Sequence, residues 1–198
     1  RDNAFRKEQQ WGDSFVAMHS GNIGFAYDFD SLLSCAASLQ DRDDIVFLII
    51  GDGVRRKDIE NRVRTEALTN VRMLPFQPEN QLPDARAAVD VQLSLYRAGS
   101  AQSSLPSKLY EIMASARPSI VSAEPGTDAR ELVEETRSGI AIDPESAEQL
   151  RAAVLHLRDH RAVARELGAN GHAAALRYYS RDVAADRYAA LIRKVAKR

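Results

Sequence analysis

The stretch Pro106-Ser107-Lys108-Leu109-Tyr110-Glu111 has the residue types to bind a phosphorylated ligand. Proline and serine at a helix start leave backbone N–H groups pointing outward, and the helix dipole favours an anion there. A lysine in that first turn disfavours the isolated helix, and a bound anion accounts for it. Glu111 lies one turn beyond Lys108 on the same face. Its carboxylate can pair with Lys108, or it can accept hydrogen bonds from a ribose diol; the residues alone leave both readings open. Gly21-Asn22-Ile23-Gly24 follows an apolar run. Glycine there lets the backbone approach a phosphate and donate its amides. The three-glycine dinucleotide fingerprint is absent, and a tight strand exit explains the glycines equally well. Gly51-Asp52-Gly53 ends a second apolar run; it reads mainly as a sharp turn, with Asp52 capping the next helix. Glu124-Pro125-Gly126-Thr127 is either a plain turn, with Thr127 as helix cap, or a loop with amides for a hydroxyl-rich ligand.

Several chemistries are excluded. The four histidines, His19, His156, His160 and His172, lack metal-ligand spacing, so no metal is expected. His19, at the end of the first strand, reads as a packing residue. Cys35 sits beside Ala36 and Ala37 and reads as a small core residue. As the single cysteine it excludes an intrachain disulfide and suits a reducing compartment. Neither a G-x-S-x-G elbow nor a P-loop is present. Lys and Arg number 27 against 28 Asp and Glu, a net charge of −1, which argues against electrostatic binding of nucleic acid. The longest apolar run, Ile45 to Ile50, is too short for a membrane span, and no signal peptide is visible. The chain starts at Arg1 rather than Met, which reads as a fragment of something larger. From Arg161 onward arginines are frequent, and Ala184, Tyr188, Leu191, Ile192 and Val195 recur at helical spacing. Such a segment is either a docked helix with a solvated face or a helix lying on a membrane surface.

The elements that must position these residues alternate. Phe15–Met18, Ile45–Ile50, Val71–Leu74, Val91–Leu95, Ser119–Ser122 and Gly139–Ile142 read as strands. Helices are expected between them: one with Leu32, Ala36 and Leu39 on a face and Asp30 as cap, and one with Ile59, Val63, Ala67 and Leu68. A short one opens at Leu82-Pro83, and others start at Pro106-Ser107 and run from Thr127 to Thr136. Leu150 to Leu157 marks another, and helical pattern continues to the end with a break at Tyr179-Ser180. This is an α/β chain: a Rossmann-like parallel sheet of about six strands with helices on both faces. In such sheets ligands lie at the carboxyl ends of the strands, near a switch in strand order.

Taken in order, Ser20 to Gly24, Ile49 to Gly53, Asn70 to Pro78 and Leu105 to Pro118 resemble the C-terminal half of a GT-B glycosyltransferase. They are most similar to the group 1 retaining transferases of bacterial cell-surface polysaccharide synthesis, of the colanic-acid and amino-fucose types. The resemblance implies a domain that holds a nucleotide-sugar donor, UDP-linked by preference, with no cofactor and no metal. By that resemblance Glu111 takes the donor ribose, Pro75, Phe76 and Gln77 contact the base, and Gly21, Asn22, Gly51, Ser107 and Lys108 complete the donor site. Ser103 stands where the family's first signature glutamate falls, and Asn22 where a basic residue often holds the diphosphate. The acceptor-binding domain would precede Arg1, so the catalytic residues are not assigned and the isolated domain is expected to be inactive. Residues 1–14 are expected to be the interdomain connection, 15–180 the donor domain and 181–198 a helix crossing back. The resemblance further implies a cytoplasmic protein, peripherally associated with the inner face of the membrane, acting on a saccharide or lipid-linked acceptor. The alternative is a non-catalytic nucleotide-binding module of the same fold.

Overall fold

A computed structural model describes residues 3–101 and 107–196. Six parallel strands, β1 (Phe15–Ser20), β2 (Ile45–Ile50), β3 (Val71–Leu74), β4 (Val91–Leu95), β5 (Ser119–Ser122) and β6 (Gly139–Ile142), form one sheet in the order β3-β2-β1-β4-β5-β6. The register pairs Phe15 with Ile45, Ala17 with Val91 and Leu93 with Ile120. Central strands of a parallel sheet are covered on both faces and so read as continuous apolar runs. β1 follows that rule: Phe15 and Ala17 join one core cluster, Val16 and Met18 the other.

The first of these clusters packs the sheet on α2 (Phe29–Ala37) and α7 (Ala147–Asp159), through Leu32, Leu33 and Ala36, and Leu150, Val154 and Leu157. The opposite cluster takes Ala85 and Ala88 of α4 (Leu82–Ala88) and Phe5 of α1 (Ala4–Glu8), with Trp11 after it. A third unites α5 (Ser107–Ala114), α6 (Asp128–Thr136) and α8 (Arg161–Tyr178). The remaining helices are α3 (Arg56–Thr65) and α9 (Arg181–Val195). No residue of α9 is buried. Residues 3–14 pack on the domain: Arg6 is buried and donates to the carbonyls of Gly12, Ser14 and Ala88.

Three helix starts differ from their expected chemistry. Asp28, not Asp30, caps α2: its Oδ1 accepts from the Ser31 amide at 3.0 Å. Asp30 sits in the first turn and pairs with Arg55, Arg62 and Arg97. Asp52 does not cap α3; its carboxylate accepts from the Gly53 amide, and the N-cap residue of α3 is Arg55, which makes no side-chain cap. Thr127 is the N-cap residue of α6, but its hydroxyl donates back to the Glu124 carbonyl at 2.8 Å rather than accepting from the helix. Ala67 lies past the end of α3 with a φ of 50°, exposed, while Leu68 turns into the core.

Candidate functional site

The switch in strand order falls between β1 and β4, whose crossovers leave in opposite directions. At the carboxyl edge there, the loop after β1 faces the start of α5. Ser20, Gly21, Tyr27, Phe76, Leu82, Arg86, Ser107, Lys108 and Glu111 line a cleft of about 310 Å³. Five of them, Gly21, Phe76, Ser107, Lys108 and Glu111, are residues that the sequence singles out. Ser107 is the first residue of α5 and is exposed. Pro106 and Ser103 lie outside the described residues.

Lys108 dominates the electrostatics. Its Nζ is buried and has no hydrogen-bond partner among the described residues. It sits 4.2 Å from the centroid of the Tyr27 ring, a cation–π contact. A Cβ added at Gly21 would come within 3.2 Å of its Cε and Nζ, so the absence of a side chain there gives the lysine its place. Burial pushes the ammonium down to about 7; Glu111 opposes the shift and Arg86 adds to it. A charged group stripped of water and left without a partner is held in a costly state that an anion relieves.

Glu111 does not bond Lys108. Its Oε2 accepts from Nη2 of Arg86 on α4, while Oε1 has no hydrogen-bond partner among the described residues. Of the two readings the residues leave open, the local Lys108–Glu111 pair is not formed; Glu111 pairs across to Arg86 instead. Beneath the lysine lies His19, fully buried, edge-on to Tyr27 and Phe29 at 5.0 and 4.8 Å between centroids. Burial, then the charge of Lys108, holds the imidazole well below its usual pKa, so it is neutral, as a packing residue should be. Burial also raises the Tyr27 phenol.

Four singled-out residues, Asn22, Gly51, Pro75 and Gln77, stand outside the lining. Gly51 has a φ of 143°, and a Cβ on it would lie 1.8 Å from the Gly21 carbonyl oxygen. Its task is to let the β2 exit run against the β1 exit. There the Gly21 amide donates to Ile50 and the Gly51 amide to Leu74. Asn22 is exposed and packs against Gly24 and Gly53. Gln77 folds back to donate to the Pro75 carbonyl at 2.9 Å, which leaves Phe76, 57% exposed, as the member of that loop facing the cleft. In the second loop, Glu124 accepts from the Gly99 amide and ties the β4 exit to the β5 exit.

Sequence reasoning missed Arg86, Tyr27, Ser20 and Leu82. Leu82 and Arg86 are four apart on one face of α4, a visible spacing, but nothing local says that this face looks onto α5. No group of three or more His, Cys, Asp or Glu among the described residues could hold a metal ion. No helix among them is long and apolar enough to cross a membrane.

A six-stranded parallel sheet in this order, with a phosphate-suited cleft at its switch point, is Rossmann-like, and among solved structures it matches the domains of GT-B glycosyltransferases. The family described as glycosyl transferases group 1 matches residues 1–174, and the chain belongs to it. It is 33% identical over 156 residues to the putative colanic acid biosynthesis glycosyl transferase WcaI of Escherichia coli, covering 76% of this chain and 38% of that protein. It is 26% identical over 143 residues to the probable glycosyltransferase WbjE of Pseudomonas aeruginosa, covering 72% and 36%. The chain thus spans under two fifths of these curated relatives. Among solved structures, HepE of Anabaena in complex with UDP and glucose superposes with a TM-score of 0.81 at 18% identity, over 95% of this chain and 50% of that one. The crystallised C-terminal domain of LpcC, a group 1 protein of Francisella tularensis, gives 0.70 at 17% identity, over 90% and 93%. At such identities these structures establish the fold alone.

Proposed function

We propose that this chain is the donor-binding half of a retaining glycosyltransferase that takes a sugar from a UDP-linked donor. The acceptor is a saccharide or lipid-linked sugar in cell-surface polysaccharide synthesis, met at the cytoplasmic face of the membrane. The observation that carries the proposal is the Lys108 ammonium, buried and unpaired among the described residues, at the start of α5 and against Gly21. The diphosphate lies between the Gly21 turn and the start of α5 and pairs with that ammonium. Glu111, steadied by Arg86, accepts from the ribose hydroxyls, and Phe76 offers an exposed ring to the base. The UDP in the HepE complex and the colanic-acid assignment of WcaI support the donor class and the pathway class. Residues 1–14 then lead in from an acceptor domain, 15–180 hold the donor, and 181–198 cross back towards that domain.

Titrating the isotope-labelled chain with UDP tests this. Resonances of Gly21, Ser107, Lys108 and Glu111 should move together and saturate. No response there, or a response confined to other surfaces, overturns the reading. A second reading, a non-catalytic nucleotide-binding module, is favoured by Ser103 in place of the family's first signature glutamate. Sugar transfer by the longer protein separates the two: turnover rejects the module.

A further inference from the structure

A second basic cavity opens at the opposite, amino edge of the sheet, and the donor reading makes no use of it. Where β1 and β4 begin and β5 is entered, Phe15, Asp90, Arg117, Arg161 and Arg165 are among the walls of a cavity of about 310 Å³. That is the lower end of the range for small-ligand pockets, about 300 Å³. The one carboxylate in the wall is already engaged. Asp90 accepts from the Val16 amide at 2.9 Å, from Arg6 at 3.3 Å and from Arg161. Arg161 also lies over the Phe15 ring, its guanidinium carbon 4.8 Å from the centroid.

The need to neutralise Asp90 explains Arg6 and Arg161. It does not explain the other two arginines. Arg117 donates through Nη2 to the Ala87 carbonyl at 2.6 Å, but its Nε is buried with no hydrogen-bond partner among the described residues. Arg165, one turn beyond Arg161 on α8, is exposed and makes no ion pair among the described residues. Three guanidinium groups thus line a cavity whose one carboxylate is already paired with Arg161 and, from outside the lining, with Arg6. The amino end of α8 adds to the positive field: its N-cap, His160, makes no side-chain cap, and its first turn holds no acidic residue. Guanidinium forks match phosphate oxygens in pairs, and they do so best where water is partly excluded.

We propose that this cavity binds the phosphate group of a phosphorylated small molecule or lipid headgroup, held by Arg117, Arg161 and Arg165. It lies at the starts of β1 and β4, whose far ends carry the donor cleft, so the two sites are read separately. The test is a resonance titration of the whole labelled chain with inorganic pyrophosphate, following Ala116, Arg117, Ala164 and Arg165 apart from Gly21 and Ser107. The first group should shift and saturate. Arg165→Glu, a change on an exposed helix position, should weaken that response about tenfold and leave the response at Gly21 and Ser107 unaltered. Arg117→Gln should weaken it too, with far-ultraviolet dichroism confirming an intact fold. Co-sedimentation with phosphatidylglycerol vesicles, lost in Arg165→Glu, identifies a lipid headgroup as the source; loss of the pyrophosphate response alone identifies a free phosphate. No shift at the first group under saturating pyrophosphate, or one that Arg165→Glu leaves unchanged, overturns the proposal. Either result leaves the donor cleft untouched, because that cleft is read at Gly21 and Ser107.

Discussion

Nucleoside diphosphate binding to this chain should fall steeply as pH rises above neutrality, and Lys108 sets the slope. Burial holds its ammonium at about 7, with Arg86 pushing the same way and Glu111 resisting. A diphosphate in the cleft supplies the missing counter-charge, so in the complex the pKa returns towards the ordinary lysine value of about 10.4. Free protein then loses the proton over a range where the complex keeps it. Each pH unit above about 7 costs about tenfold in affinity, ~1.4 kcal/mol, or about a hundredfold between pH 7 and 9. A phosphate's own second ionisation lies near pH 6, below this window. His19 is neutral throughout it, because burial holds its pKa well below the usual value, and the raised Tyr27 phenol stays protonated. Calorimetry with UDP across the window gives the slope, and uridine, which lacks the charge, should show none. Lys108→Met should abolish the slope for UDP. A UDP affinity as flat as that of uridine, or a slope that survives Lys108→Met, refutes the reasoning.

Other outcomes follow from the same geometry. The free chain binds fewer protons at Lys108 when folded than when unfolded between about pH 7 and 10, so its stability rises with pH across that window. Lys108→Met should be the more stable form at pH 7, by a few kcal/mol at most. Urea titrations at several pH values check this, and a wild-type stability flat across the window would sink it. Gly51→Ala combines a strained φ with a Cβ 1.8 Å from the Gly21 carbonyl and should cost about 3 kcal/mol or more, ~6–12 °C in melting temperature. Gly126→Ala has a φ of 79° but nothing within 4 Å, and should cost only about 1 kcal/mol. Equal melting temperatures for the two variants would contradict the close approach. Amides of α9 should exchange with solvent faster than those of α8, since no α9 residue is buried and Tyr188 is 70% exposed. Slow exchange from Arg181 onward in a proven monomer would show that the helix packs on its own domain.

The strands were the most legible part of the fold, for a physical reason. A strand buried on both faces tends to read as a continuous apolar run, and Ile45–Ile50 stands out in that way, closed by Gly51, while Val91–Leu95 and Ser119–Ser122 also bury the polar residues Gln92, Ser94, Ser119 and Ser122. Their ends in the structure fall where the sequence places them. Helix caps were less legible because distant contacts select among nearby acids. Asp28 is chosen over Asp30 because its own amide donates to the Leu95 carbonyl, next to the Tyr27–Tyr96 bridge; this fixes where the chain turns into α2. The candidate site divided the same way. Gly21, Ser107, Lys108 and Glu111 carry local signals: a glycine at a strand exit and an ill-placed cation in a helix's first turn. Arg86 carries none, since its pairing with Glu111 exists only once α4 and α5 flank the same cleft. The burial of Lys108 was equally invisible, because Tyr27 and Gly21 reach it across the switch point.

The central claim is that one cleft splits the recognition of a nucleoside diphosphate between a cation for the phosphates and a carboxylate for the ribose. Calorimetry with uridine and UDP on Lys108→Ala and Glu111→Ala tests it most directly. A hydrogen bond to a charged group contributes about 1.5–3 kcal/mol, so Glu111→Ala should weaken both ligands by roughly 10- to 150-fold. Lys108→Ala should weaken UDP and leave uridine nearly unchanged. Equal losses for both ligands on removing Lys108 would contradict the account, because the lysine would then support the fold or the ribose pocket rather than the phosphates.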